Sequence, residues 1–146
     1  MEGVSLEADG IVVVHGSKTA LPIAYTILSL LGVPAYVVFD GDNNCHGDQV
    51  AIHRKLNRDL QTLLGVQEPE DFPSSGARGN WAVFEATLEE TLRLEIADFD
   101  SKCQQTSEKS DWRVKSGETY VAVIRDDGVA PGLLTEIVAA ARRLAA

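Results

Sequence analysis

Three short apolar runs alternate with segments whose apolar residues recur at helical spacing. The runs at 11–14, 35–39 and 81–84 are rich in Val and aromatic residues, which is typical of strands buried on both faces. Between them, apolar side chains three and four residues apart predict a helix over 20–31 and a second helix that ends at Gly65. Strands that alternate with helices predict an α/β fold, with a small parallel sheet that carries helices on both faces.

Turn-forming residues support these boundaries. Thr19 can cap the first helix, and Pro22 lies in its first turn, where a missing N–H costs little. Gly32 suits a left-handed helix end, and Pro34 prevents continuation. The stretch 66–80 is rich in Gly, Pro and Ser, which indicates a loop.

The rest of the chain is predicted to be mainly helical. Thr87 can cap a helix whose inward side chains are Leu88, Leu92, Ile96 and Phe99. The polar stretch 100–115 gives no clear prediction. Helices at about 117–126 and 131–145 are expected to close the chain, with Gly128 ending the first of them.

A length of 146 residues is typical of one domain. We therefore expect a single domain over 1–146, with a flexible N-terminus at 1–10 and C-terminal helices over 116–146. The sequence shows neither a run of roughly 20 apolar residues nor a signal-peptide pattern, so we expect no membrane partner. Cys45 and Cys103 both lie in polar stretches, which favours free thiols and a cytoplasmic location.

The formal net charge is −9. Such a charge argues against a basic face that grips nucleic acid, because that grip depends on Lys and Arg at the phosphates. It leaves a nuclease possible, since clustered carboxylates bind metal ions and the ions then meet the phosphate. The alternative is that the excess of acid serves only solubility.

Asp40 and Asp42 follow directly after the run at 35–39. Ligands of open parallel sheets bind beyond the carboxyl ends of the strands. Two carboxylates separated by one glycine can converge there on a hard cation such as Mg²⁺ or Mn²⁺. The alternative is that Asp-Gly-Asp is an ordinary turn sequence.

Other candidate residues carry weaker signals. Glu89 falls in the first turn of the helix that follows the third strand, where it either joins the site or only complements the helix dipole. The stretch 16–19, Gly-Ser-Lys-Thr, lacks the spacing of a phosphate-binding loop, so we expect no ATP binding. His15 is either a ligand or base, or a structural residue.

The order of these motifs resembles the Toprim domain of the OLD (overcoming lysogenisation defect) family of ATPase-linked nucleases. The resemblance runs from about Gly10 to Leu144. It is carried by a strand and Gly-Ser-Lys, then an amphipathic helix and Leu-Gly-Val-Pro-Ala-Tyr-Val-Val-Phe-Asp-Gly-Asp ending at Asp42. A helix containing Asn57, a strand, and Thr-Leu-Glu-Glu at 87–90 complete the order. The residues at 130–134, Ala-Pro-Gly-Leu-Leu, also look like that family's C-terminal end.

The resemblance implies a metal-dependent endonuclease that uses Mg²⁺ or Mn²⁺. The family's metal-binding aspartates carry over to Asp40 and Asp42, and its helix-start glutamate carries over to Glu89. A late lysine that steadies the transition state is matched best by Lys115, with Lys109 a weaker choice.

One departure from the family puts activity in doubt, because Toprim domains begin with a strand that ends in Glu-Gly. In one alignment, residues 14–16 are that strand and His15 replaces the glutamate. In the other, which we prefer, 11–14 is the family's second strand and the first strand is missing. Glu2-Gly3 is a poor substitute, because no strand precedes it.

The sequence thus predicts a Toprim-like nuclease that is incomplete or weakly active alone and contacts DNA through metal ions. A protein partner would supply the ATPase and the missing strand. The rival hypothesis is a non-catalytic interaction module that pairs its sheet with such a partner. A flavodoxin-like nucleotide-binding domain ranks lowest, since no glycine-rich phosphate loop is present.

Overall fold

A computed structural model describes residues 6–146. Within this range the fold is α/β with a helical C-terminus, as predicted. The elements are α1 (Leu21–Leu30), β1 (Val37–Asp40), α2 (Gln49–Leu63), β2 (Gly76–Ala77), β3 (Trp81–Phe84), α3 (Leu88–Glu95), α4 (Phe99–Ser110), α5 (Gly117–Asp127) and α6 (Gly132–Ala145). None of the helices in the described range combines the length and apolar composition needed to cross a bilayer.

The described chain forms two compact units. The first comprises the residues up to Thr87 together with Glu136–Ala146, and the second comprises Leu88–Thr135. The expectation of a single domain over 1–146 stays a prediction.

The first unit contains a three-stranded sheet in the order β1-β3-β2. Strands β1 and β3 are parallel, with Val37 opposite Trp81 and Asp40 opposite Phe84. Strand β2 runs antiparallel to β3, so the prediction of a wholly parallel sheet is wrong. The reason is local: only residues 78–80 separate β2 from β3, and so short a link can join only antiparallel neighbours.

The core of the first unit lies between this sheet and two helices. The rings of Phe39 and Trp81 stack with centroids 5.6 Å apart, and they lie on the two parallel strands. The other buried members are Val37, Leu60, Leu64 and Val83, with Leu21, Tyr25 and Val66 packed against them. Helix α2 therefore contributes Leu60, as its apolar spacing predicts, and Leu64 directly follows its last residue.

The prediction of a buried strand over 11–14 is wrong. Val12, Val13 and Val14 are 79%, 65% and 68% exposed, and the segment has no regular secondary structure. A β-branched run makes a strand only when another strand satisfies its backbone groups. Within residues 6–146, the sheet contains only β1, β2 and β3.

The predicted flexible N-terminus is described only in part. Residues 6–10 hold a short 3-10 helix, Glu7–Asp9, closed by Gly10 at φ +74°. The rest of the predicted N-terminal segment, with the Glu2-Gly3 pair, lies outside the described residues.

The second unit is helical and has a core of its own. The predicted helix from Thr87 ends at Glu95, because Asp98 adopts a left-handed conformation with φ +55° and starts a new helix. That helix, α4, occupies most of the polar stretch 100–115, whose pattern predicts no clear element. The buried core residues are Leu92, Ile96, Phe99, Cys103 and Val123.

Candidate metal site at the end of strand β1

The Asp-Gly-Asp sequence forms a turn tied tightly to the neighbouring strand. The backbone amides of residues 41–43 donate hydrogen bonds to the carbonyl oxygens of residues 84–86, at N···O distances from 2.6 to 3.1 Å. Asp42 adopts a left-handed conformation with φ +56°, which aspartate tolerates better than most residues. The turn therefore fixes where the Asp42 side chain begins.

Gly41 is required by space rather than by its backbone angles. A Cβ atom built at this position would lie 2.6 Å from the carbonyl oxygen of Glu85 and 3.1 Å from that of Phe84. Both neighbours are backbone atoms, which cannot move aside without breaking the hydrogen bonds that join the two chain segments.

Asn57 on α2 holds the turn from below. Its side chain is fully buried, and its amide nitrogen donates to the carbonyl oxygens of Gly41 and Asp71, both at 2.8 Å. Its amide oxygen accepts a hydrogen bond from Lys18 Nζ at 2.9 Å. Both donors and the acceptor of the amide are thus used, as a buried polar group requires.

Two nitrogen groups approach the same carboxylate oxygen of Asp42. Lys18 Nζ lies 2.5 Å from Oδ2 and donates a hydrogen bond to it. His53 Nδ1 lies 2.9 Å from the same oxygen, but the imidazole is not aligned for a hydrogen bond, and this buried nitrogen has no other partner within the described chain. We take the pair as a close contact rather than a hydrogen bond.

Helix α2 presents one polar face to this region. His53, Asn57 and Gln61 are spaced four residues apart and therefore lie on the same side of the helix. Gln61 donates to the carbonyl oxygens of Asn57 and Glu70 and accepts a hydrogen bond from the Glu70 amide. This polar face thus binds the loop at 70–71, through hydrogen bonds of Asn57 and Gln61, to the helix that supports the Asp-Gly-Asp turn.

The structure places Asp40 and Asp42 at the carboxyl end of β1, as predicted, with Asp40 the last residue of the strand. The residues fit a divalent ion only in part. Both aspartates offer the hard oxygen ligands that Mg²⁺ and Mn²⁺ prefer, but Lys18 already engages Asp42. In the described range no three His, Cys, Asp or Glu side chains are grouped so as to hold a metal ion.

Glu89 and Lys115 belong to the second unit. Glu89 lies in the first turn of α3 and accepts a hydrogen bond from Tyr120 Oη at 3.0 Å. Burial, and then this contact with Glu89, raises the pKa of Tyr120 to about 12. Lys115 directly precedes Ser116, the N-cap of α5. The site roles of Glu89 and Lys115 stay predictions.

Sequence reasoning missed Lys18 and His53 as site residues. In the sequence, Lys18 belongs to a stretch that fails the phosphate-loop pattern and to the Gly-Ser-Lys of the family resemblance, and neither suggests a contact with Asp42. The candidate His15 is exposed. One signal was available: three polar side chains at four-residue spacing, beginning at His53, interrupt a helix that otherwise has to pack against a sheet.

Comparisons with known proteins assign no relationship. No family model, curated protein or solved structure matches the chain. The resemblance to the OLD-family Toprim domain therefore stays a hypothesis.

We predict that Gly41→Ala destabilises the chain by about 2 kcal/mol, because the new methyl group overlaps backbone oxygens. Gly79→Ala is the matched control: nothing lies within 4 Å of the added Cβ atom, so its effect should stay within about 1 kcal/mol of zero. Urea unfolding of both variants measures the difference. Equal stability of the two variants would show that the turn is not packed as described.

Proposed function

We propose that this chain is a Toprim-like domain of the OLD nuclease type, which acts in metal-dependent hydrolysis of DNA phosphodiesters and is incomplete alone. The observation that carries the proposal is the position of Asp40 and Asp42. The two carboxylates lie at the carboxyl end of a core strand, where α/β folds bind ligands. The turn that carries them is held by the backbone of residues 84–86 and by the side chain of Asn57.

The chain's own residues supply part of such a site. Asp40 and Asp42 would hold the metal, and Asn57 supports the turn between them by donating a hydrogen bond to the Gly41 carbonyl oxygen. By resemblance, Glu89 would correspond to the family's helix-start glutamate and Lys115 to its late lysine; both belong to the second unit. When bound, Mg²⁺ or Mn²⁺ would activate water and neutralise charge on the scissile phosphate.

Two features support an incomplete site. Two-metal phosphodiester chemistry needs several carboxylates to offset the repulsion of the ions, and one of the two at this turn is paired with Lys18. A net charge of −9 also opposes contact with DNA by the chain alone. We therefore expect slow cleavage or none without a partner.

The proposal predicts that Mn²⁺ binds the wild-type chain and that Asp40→Ala removes the binding, because a ligand is lost. Isothermal titration calorimetry measures the affinity, and nicking of supercoiled plasmid in Mn²⁺ measures the activity. We expect binding with little nicking. Equal Mn²⁺ binding by wild type and Asp40→Ala would refute the site, and rapid nicking that needs Asp42 would refute its incompleteness.

Asp48→Ala is the matched control for this experiment. Asp48 is exposed, lies at the start of α2 and makes no capping hydrogen bond with its side chain. The substitution removes one carboxylate close to the turn in sequence without touching the turn itself. It should leave Mn²⁺ binding unchanged, which separates loss of a ligand from loss of overall negative charge.

A second candidate function is an interaction module that receives a strand from a partner protein. Strand β1 lies at one edge of the sheet, and Val38 on it is 36% exposed. The run at 12–14 is also exposed, and no Asp or Glu occurs between Asp9 and Asp40, although the chain has 22 acidic residues. Exposed apolar surface of this extent is typical of protein contacts, and an open strand edge accepts strands.

The interaction hypothesis predicts that the chain co-purifies with an ATPase encoded by the adjacent reading frame. Val13→Lys should weaken the complex, because it places a charge on the apolar run. Leu94→Lys is the control, since Leu94 is 88% exposed and lies in the second unit. Absence of a complex, or equal loss in both variants, would argue against this function.

A further inference from the structure

We propose that Lys18 is a built-in counter-cation for Asp42, and that Lys18 and a divalent metal ion compete for the same carboxylate. The proposal deepens the function proposed above and rests on it only for the identity of the competing ion. It addresses a site in which one of two metal-type aspartates is already paired with a lysine of the same chain.

The geometry of Lys18 is that of an enclosed cation. Its side chain is only 10% exposed. Nζ donates to Asp42 Oδ2 at 2.5 Å and to Asn57 Oδ1 at 2.9 Å, and it lies 5.9 Å from the centre of the Phe39 ring. An ammonium group removed from water needs such partners, because burial of an unpaired charge is costly.

Few other Lys or Arg side chains are placed to pair with Asp42. Lys18 is the only Lys or Arg among the first 53 residues of the sequence. The next two basic residues on α2 that approach this region, Arg54 and Arg58, both pair with Asp71 instead. Among these basic side chains, Lys18 is the one that meets the Asp-Gly-Asp turn.

Competition follows from the chemistry of the shared oxygen. A carboxylate oxygen that accepts a charge-assisted hydrogen bond at 2.5 Å is less available to a metal ion, since both cations seek the same negative charge. Loss of Lys18 should leave Asp42 uncompensated and strengthen its attraction for a divalent ion. A lysine that served only as packing would have no such effect on metal affinity.

The test is Mn²⁺ binding by Lys18→Met, measured as the decrease in free-Mn²⁺ electron paramagnetic resonance signal. Affinity should rise at least about tenfold over wild type, the factor that corresponds to one charge-assisted hydrogen bond. The gain should disappear in the double variant Lys18→Met, Asp42→Asn. Lys18→Gln is the second variant, in case the methionine form does not fold, and it should also gain affinity.

Lys55→Met is the matched control, because it removes the same charge from the same unit at an exposed pair with Asp59. It should change Mn²⁺ affinity little. Affinity in the folded Lys18 variants that equals or falls below that of wild type, including no binding at all, would overturn the inference. Mn²⁺ binding by a Lys18 variant, with no Mn²⁺ binding by wild type, would support the inference. In that case the absence of binding by wild type would count only against the proposed function.

Discussion

The buried amide of Asn57 joins three pieces of chain that would otherwise have no reason to meet. Its two N–H groups reach the turn after β1 and the loop at 71, and its oxygen accepts from Lys18 ahead of α1. Every polar atom of the side chain is used away from water, where an unmade hydrogen bond is expensive. The position of the Asp-Gly-Asp turn, and of the cation beside it, depends on this residue together with the backbone hydrogen bonds to residues 84–86.

The helices were largely predictable because their signals are local. Apolar spacing and turn residues located α1, α2, α5 and α6 to within a few residues. The prediction of a strand over 11–14 failed because a strand also requires a neighbouring strand, and that requirement cannot be read from the segment itself. The short β2 and the helix α4 were missed for related reasons: β2 has two residues, and α4 buries little beyond Phe99 and Cys103.

The candidate site shows the same division. Asp40 and Asp42 could be placed from sequence because they follow an apolar run, and the sheet then fixes which edge they occupy. Lys18 could not, since its contact with Asp42 spans 24 residues and depends on how α1 packs. The four-residue spacing of His53 and Asn57 is visible in the sequence, but this spacing alone does not show which loop the helix supports.

Within the described residues, the Asp-Gly-Asp turn is held in a defined position and pairs with a nearby cation. Its backbone is hydrogen-bonded to residues 84–86, and Lys18 pairs with Asp42. The two proposed functions would each add something to this turn, either a metal ion or a protein partner. A metal ion and a protein partner would both bind to the same preformed turn. Asn57 therefore has to hold that turn in place before either of them binds.

The free energy of unfolding of Asn57→Ala, compared with Asn44→Ala, tests this requirement most directly. Asn44 is exposed two residues after Asp42, and its substitution is the control for loss of a side-chain amide. We expect Asn57→Ala to lower the free energy of unfolding by roughly 3 kcal/mol, because two carbonyl groups and one ammonium lose a buried partner. A loss equal to that of Asn44→Ala in urea unfolding would contradict it.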